Sequence, residues 1–463
     1  MESINTNIID EETHQKLLQS LLAGDFSKVE NTVSARTGAL GAQIIQGLMN
    51  EAASSEAGQA IVEQLKDDRH YQRVRQRDVP VILSGERKIR VVSYYGLRPD
   101  LKQQGRPRQR QNGEHILLKY WGFHHKRSQG SLNEIARCGA SSASFELASE
   151  HLKSQGISLS DKGVRAVTKT VGDVATAHRS QHHLALAPGE SLAGKRVGIG
   201  SDGGRIRSRQ PRTGRHRLGK KQPGYNTDWR EPKLLVIFEV DEFGNKKKGA
   251  KPIYEATMGG KRKFAELLIS LCTQLQLNEA QEIVCLGDGA PVLWDVFKQL
   301  QEQLGIKSKT TEVVDFFHAC EHITELTEAH TNKTATEQKA WAKELKVLLR
   351  TGKHQAFCSS VKHEAKKHNL SILLKHLGYF IRHKQRMHYD QYEKAKLPIG
   401  SGIVESAVRR VINGRLKAPG TFWKLENVEH MLSLRSALLA GRWNIFMDNF
   451  RQAVSLLPER SNG

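Results

Sequence analysis

Residues 282–289 read EIVCLGDG: four apolar residues in a row, then a carboxylate set between two glycines. A short unbroken apolar run fits a strand buried on both faces. The end of such a strand is where an α/β sheet presents functional groups. The same construction occurs earlier, in KRVGIGSDGG (195–204), which also ends in an acid beside glycine. Between the two, LLVIFEV (234–240) reads as a buried central strand and PIYEAT (252–257) as its neighbour. Phe264, Leu267, Leu268 and Leu271 then repeat at helical spacing. Beyond residue 289, Val292, Leu293, Val296, Phe297, Leu300 and Leu304 predict a helix over 290–304. EVVDFFH (312–318) reads as a fifth strand. The order β-β-β-α-β-α-β predicts an α/β domain built on a mixed sheet.

The rest of the chain is organised around that domain. Residues 1–70 read as a helical N-terminal region, with apolar faces at Ile44, Ile45, Leu48 and Met49 and at Ile61, Val62 and Leu65. Residues 71–130 read as a small β-rich basic region and linker. There Val79 to Leu83 and Lys88 to Tyr95 flank the turn Ser84-Gly85-Glu86-Arg87, and 96–113 are basic and nearly free of apolar residues. In 131–190, one helix carries Phe145, Leu147, Ala148 and Leu152 and is broken at Ser154-Gln155-Gly156. Ser160 can cap a second helix, in which Val164, Val167 and Val171 repeat. This pattern fits a helix-turn-helix that turns Lys162, Arg165 and Lys169, with Thr168 and Thr170, toward DNA. An ordinary helical pair has the same pattern, so both stay open. Residues 191–318 form the first part of the sheet domain. Residues 319–398 read as a polar, basic helical insertion, with Trp341, Leu345, Leu348 and Leu349 on one face. Residues 399–463 read as closing helices, the first carrying Val404, Val408, Val411 and Ile412.

The 463 residues carry a formal net charge of +22 and 38% hydrophobic residues, which predicts a folded protein that concentrates polyanions. Nucleic acid is the commonest such partner, although a merely soluble or ribosome-associated protein shares the charge. The five cysteines form no C-x-x-C pair, so neither a disulfide framework nor a zinc ribbon is expected. The polar, acidic start lacks the features of a secretory signal, and no run of about 18 apolar residues occurs. A cytoplasmic, nucleoid-associated protein with no membrane contact is the expectation. Cys358, His363 and His368 are spaced by five and do not share a helical face, so no zinc site is expected there.

Asp202 and Asp288 each end an apolar run next to glycines that permit close backbone approach. Asp-Gly is also a common turn; two instances at strand ends weaken that alternative. Converging carboxylates hold hard cations such as Mg²⁺, and a pair of such ions about 3.5–4 Å apart suits in-line phosphoryl displacement.

Taken together, these blocks resemble the RNase H-like core of DDE transposases. CLGDGAPVLWD is similar to the block around that family's second Asp. DFFHACEH matches the Asp-x-x-His signature of its Mutator-like branch, here Asp315 and His318. GSGIVESAVRRVINGRLKAPGTFW resembles the final block, which carries the Glu. The likeness spans roughly residues 190 to 445 and is nearest to insertion-sequence transposases of the Kra type. It implies that Asp202, Asp288 and Glu405 are the catalytic residues and the ligands of two Mg²⁺ or Mn²⁺ ions. It also implies that the helical insertion precedes the last core helix; Asp315 reads either as a fourth acid supporting the site or as a strand residue only, and His318 either as a residue that helps position the site or as a hydrogen-bonded core histidine, not as a metal ligand. Glu405 has a second possibility, an i,i+4 surface pair with Arg409.

Arg205, Arg207, Arg209, Arg212, Arg215, Arg217, Lys220 and Lys221 follow the first acid. Such a run is usually a solvated loop; beside a phosphate-cutting site it suggests a backbone clamp. Lys261, Arg262 and Lys263, then Arg409, Arg410, Arg415 and Lys417, would extend that surface. Trp423 would stack on an unpaired base, or sit in the core. The function expected is transposition: binding of terminal inverted repeats, metal-dependent cleavage and strand transfer. The partners are double-stranded DNA, as element ends and target, and further copies of the chain in a homodimer or larger assembly. A structure-specific nuclease and a domesticated, inactive RNase H-fold DNA-binding protein are the alternatives.

Overall fold

The computed structural model describes residues 11–22, 26–97, 113–212 and 224–456. Two compact units emerge: residues 1–139, 145–168 and 447–463 form one, and 140–144 and 169–446 the other.

The first unit opens with helices α1 (Glu11–Leu22), α2 (Phe26–Ser54) and α3 (Glu56–Asp68). A three-stranded antiparallel sheet follows, β1 (Gln72–Ile82), β2 (Lys88–Leu97) and β3 (Gly113–His115), and then a short helix, α4 (Ile116–Tyr120). The sheet face at Val79, Val81, Ile89 and Val91 packs with Ala42 of α2 and Leu118 of α4. Ile44, Ile45 and Leu48, expected to be covered, stay exposed. Beneath the sheet, Lys119 Nζ donates to Glu114 at 2.7 Å and Tyr71 Oη donates to the same carboxylate at 2.6 Å. Glu114 and Lys119 are both buried, so each satisfies the other's charge.

Helices α5 (Gln129–Ser141), α6 (Phe145–Ser154) and α7 (Asp161–His178) follow. The expected break falls after Ser154, with Gly156 at φ +82°. Ser160 caps α7 by accepting from Gly163 N. Lys162, Arg165 and Lys169 are exposed. Thr168 is not DNA-facing: it is buried and bonds back to the Val164 carbonyl.

The second unit is the α/β domain. Its sheet strands are β4 (Arg196–Gly203), β7 (Lys233–Glu239), β8 (Ile253–Thr257), β9 (Glu282–Gly287) and β10 (Thr310–Val314), in the spatial order β10-β9-β4-β7-β8. β7 runs antiparallel to β4 and β8. β9 lies parallel to both β4 and β10. A separate hairpin, β5 (Ile206–Pro211) and β6 (Tyr225–Arg230), is inserted between β4 and β7. Leu234 to Phe238 of β7 are all buried, as a central strand requires. α8 (Lys261–Gln274) packs on β8 and α9 (Pro291–Leu304) on β9. α9 is bounded by Pro291 at its start and by Gly305 at φ +64° at its end.

The fifth strand is shorter than its apolar pattern predicts. EVVDFFH leaves the sheet at Val314, and α10 (Phe316–Glu328) begins with Phe316, Phe317 and His318. Asp315 is the reason: its carboxylate accepts from the backbone of Phe317 and His318, which starts a helix where the sequence suggested extended chain. α11 (Ala335–Arg350), α12 (His354–Lys367), α13 (Ser371–Arg382) and α14 (Tyr389–Lys394) follow. Thr334 and Glu337 form a reciprocal capping box on α11. The chain then enters α15 (Gly402–Val408), a π-helical turn over Arg409–Asn413, and α16 (Gly414–Leu416). α17 (Leu425–Leu439) packs on β8, and α18 (Trp443–Leu456) follows, its residues from Met447 onward belonging to the first unit. Among the described residues no helix is long and apolar enough to cross a membrane.

Buried cations tie the α/β unit together. Arg442 forks onto Glu190 with two 2.8 Å bonds and also donates to the carbonyls of Pro252, Lys251 and Ala185. Burial pushes the Glu190 carboxyl up, but the Arg442 and Ala187 hydrogen bonds outweigh it and hold it below 4.5. A depressed carboxylate stabilises the fold above its ordinary pKa, and that contribution is lost as pH falls through the folded value. Two outcomes are expected in urea titrations. Arg442→Ala should cost about 3–5 kcal/mol, because it strands a carboxylate and three carbonyls. Glu190→Gln should flatten the loss of stability seen below about pH 4.5 in the parent.

Candidate active site

β4 and β9 are neighbours, parallel and in register, with Gly200 opposite Leu286. Two residues beyond that last shared rung come Asp202, still in β4 and opposite Leu234 of β7, and Asp288, one residue past the end of β9. Each carboxylate is steadied by its own turn. Asp202 Oδ1 accepts from Gly203 N at 2.6 Å, and Asp288 Oδ1 from Ala290 N at 2.8 Å. Gly289 sits at φ +101°, and a Cβ there would come within 2.8 Å of the Tyr379 ring. Both the conformation and the close approach call for glycine.

Asp202 opens to solvent on one side and is hemmed in by protein on the other. That burial raises its pKa. The Gly203 N–H opposes the rise, the Asp288 charge adds to it, His318 opposes it, and Glu231 adds to it. Two acids at adjoining strand ends that repel each other form a site whose charge is incompletely matched by the protein.

Glu405 lies on α15, which packs against β4 and β7. The contact is close: a Cβ on Gly200 would come within 2.5 Å of Val404. Glu405 itself is exposed, and its carboxylate pairs with Arg409 Nη2 at 2.9 Å, the i,i+4 arrangement weighed from the sequence. Asp202 and Asp288 are therefore brought together, while Glu405 stands on the adjacent helix in a surface pair.

Asp315 is not a free fourth acid. It is buried, and besides capping α10 it accepts from Ser401 N at 2.6 Å and from the Ser401 hydroxyl. With four donors on two oxygens it acts as a structural pin. His318 is half-exposed, with Nδ1 3.1 Å from Glu321. Its ring meets His322 edge-on at 4.9 Å, and His322 packs on Tyr379 at 4.1 Å. Tyr379 Oη donates to the Asp288 carbonyl at 2.8 Å. Burial first, then the charges of Asp288 and Asp315, hold that hydroxyl well above its ordinary pKa. Tyr379 also packs on His383, whose pKa is lowered to about 4 by burial and by Arg386 and Arg382. This wall of rings beside Asp288 was not foreseen. Its only sequence signal is histidine and tyrosine at four-residue spacing, His318 and His322 on α10 and Tyr379 and His383 at the end of α13.

The basic residues divide. Arg205, Arg207, Arg209 and Arg212 lie on or beside the β5–β6 hairpin, whereas Arg215, Arg217, Lys220 and Lys221 fall outside the described residues. Lys261 pairs with Asp295 at 2.6 Å, Arg262 with Glu266 at 2.9 Å and Lys263 with Glu266 at 3.8 Å. Arg410 donates to the Tyr254 hydroxyl at 3.0 Å, and Lys417 is exposed. Two expectations fail. Arg415 is buried against the Trp423 ring, with its pKa pushed down to about 10 by burial. Trp423 is 8% exposed and serves as core, because its backbone pairs with β5 through Arg207 and Arg209 and turns the ring inward.

In the helical segment, His330, Glu364 and His368 each bring a ligand atom within 4.8 Å of the others, a different trio from the one considered by spacing. Lys333 Nζ and His330 Nε2 both sit 3.0 Å from Glu364 Oε2. Burial raises that carboxyl, but these partners outweigh it and hold it below 4.5. The carboxylate is thus already matched by an ammonium.

No family model matches the chain, and no curated protein matches it. Among solved structures, the chain is similar to the "Drosophila P element transposase strand transfer complex" at 12% identity and a TM-score of 0.23, over 72% of this chain and 84% of that one.

Asp315→Ala removes an N-cap and the acceptor for Ser401. It should lower unfolding free energy by about 2–4 kcal/mol, read by chemical denaturation.

Proposed function

We propose that the chain is a DDE-type transposase with an RNase H-like core, acting on the ends of its own mobile element. The observation that carries this is the pair Asp202 and Asp288 at the ends of two adjacent parallel strands, with the helix of Glu405 packed on the first of them. The strand arrangement supports the fold: an antiparallel meander of β4, β7 and β8, extended on the β4 side by parallel β9 and β10.

The donor set fits hard divalent cations. It is all oxygen, and Asp202 is raised in part by the neighbouring acid, a repulsion a cation would relieve; with Glu405 turned to Arg409 the three acids are not gathered into one three-ligand cluster, and among the described residues only His330, Glu364 and His368 are. Asp202, Asp288 and Glu405 would hold two Mg²⁺ or Mn²⁺ ions; Glu405 would do so after exchanging its Arg409 partner. When bound, such ions activate the attacking oxygen and stabilise the leaving one in phosphodiester hydrolysis and strand transfer. The protein's own groups do the holding. Gly203 N and Ala290 N fix the two carboxylates, Tyr379 fixes the Asp288 backbone, and the Asp315–Ser401 link fixes the start of α15. Residues 1–190 would recognise the terminal repeats, with Lys162, Arg165 and Lys169 on the exposed face of α7. Two element ends must be joined, so the working form would be a homodimer or larger on DNA.

The Glu405–Arg409 pair favours a second reading, a DNA-binding protein whose chemistry has lapsed. One experiment separates the two. With flanking DNA of the gene as substrate and Mg²⁺ or Mn²⁺ present, the parent should nick a repeat end and join it to target. Asp288→Asn and Glu405→Gln should each lose on the order of 10³-fold in cleavage at unchanged DNA affinity. Binding without cleavage by the parent with either metal would leave the second reading standing.

A further inference from the structure

The β5–β6 hairpin has two unlike faces. Ile206 and Ser208 point inward and are fully buried, and the backbone of Trp423 pairs with β5 at Arg207 and Arg209. Arg207 lies opposite Trp229, Arg209 opposite Thr227 and Pro211 opposite Tyr225, so these side chains share the outer face. Trp229 is 48% exposed and Tyr225 46%. Large aromatic rings left open on a β-ribbon invite an occupant.

On that face three cations and three rings form one continuous chain of contacts. Arg205 lies 5.5 Å from the Trp229 ring centre, and Arg207 is also 5.5 Å from it. Arg207 is 5.2 Å from Phe422. Phe422 is 5.8 Å from Tyr225, and Arg209 is 5.9 Å from Tyr225. The result is one ladder: Arg205, Trp229, Arg207, Phe422, Tyr225, Arg209. Among the described residues, the ion pairs found on β5 and β6 involve only Arg230 with Asp228, so no acid is recorded against the three ladder arginines. A ring face attracts a guanidinium without neutralising it, so the charge stays available to phosphate. The ladder also starts three residues after Asp202, no more than about 11 Å of chain away.

We infer that this ladder binds an unpaired DNA strand, stacking its bases on Trp229 and Tyr225 and engaging its phosphates through Arg205, Arg207 and Arg209. A duplex offers phosphates but keeps its bases stacked on one another, so it would use the arginines and leave the rings idle. An unpaired strand uses both, and base–aromatic stacking tolerates any sequence. The choice of DNA rests on the proposed function; the preference for unpaired strands rests on the ladder alone.

Binding is measured by fluorescence anisotropy in EDTA, where no cleavage occurs, using a labelled oligonucleotide of arbitrary sequence as a single strand and as a duplex. Circular dichroism checks folding, and because both rings are exposed the fold should survive their loss. Trp229→Ala and Tyr225→Ala should each weaken single-strand binding by about 10-fold, and duplex binding less than two-fold. Trp229→Phe should restore most of the loss. Equal losses for single strand and duplex in Arg207→Ala, with no loss in the ring variants, would reduce the face to a phosphate clamp and overturn the inference. Unchanged DNA binding in every variant would also overturn it and assign the face to a protein partner. Because this assay runs without metal, its outcome is independent of whether Asp288→Asn abolishes cleavage.

Discussion

The Asp315 carboxylate accepts from four donors on two chain segments 86 residues apart. Its own backbone N–H donates to Gly287, the residue before Asp288. On the other side it holds Ser401, whose carbonyl accepts from Glu405 N in the first turn of α15. One buried side chain thus links the strand end bearing Asp288 to the helix bearing Glu405 across the whole helical segment between them. A buried carboxylate is tolerable only when its lone pairs are filled, and here they are. The relative placement of the candidate ligands depends on this link more than on any apolar contact.

Much of the sheet was legible because its strands are buried on both faces. LLVIF (234–238) and IVCL (283–286) are unbroken apolar runs, and each lies within a strand close to its expected limits. The positions of Asp202 and Asp288 came from the same signal, since an apolar run ending in Asp-Gly places its acid near the C-terminal end of a strand. Phe316 to His318 were misread because an apolar run does not distinguish a strand from a helix; the deciding event is a side-chain cap. The β5–β6 hairpin went unseen because its strands are Arg-rich and half-exposed, with no clean apolar alternation. Trp423 was open between base stacking and the core for want of any local cue to its direction. Glu255 is fully buried in β8 beside Arg179 and His183, and nothing in IYEAT announces that partnership.

The net charge of +22 overstates the free cationic surface. Arg415, Arg435 and Arg442 are buried and spend their donors on backbone carbonyls or an acid. Lys261, Arg262 and Lys263 are matched by nearby acids. The hairpin differs in that its arginines are organised by aromatic rings, which orient a cation without neutralising it. Long-range attraction for a polyanion is a property of the whole chain, whereas directed contact is concentrated where such rings stand.

The π-helical turn at Arg409–Asn413 adds one residue to the helical path after Glu405. Carbonyls loosened by such a turn need other donors, and Arg435 reaches those of Arg410 and Val411. An extra residue shifts angular phase by about 100°. On a regular helix Val404, twelve residues before Leu416, would stand about 120° from it; the extra residue brings the two to about 20° and turns Glu405 away. Val404 can seat on Gly200 while Leu416 seats in the core, two demands that a regular helix of this length would not meet together. The wide turn works as a phase adjuster, uncoupling the aim of the acid from the packing that anchors its helix.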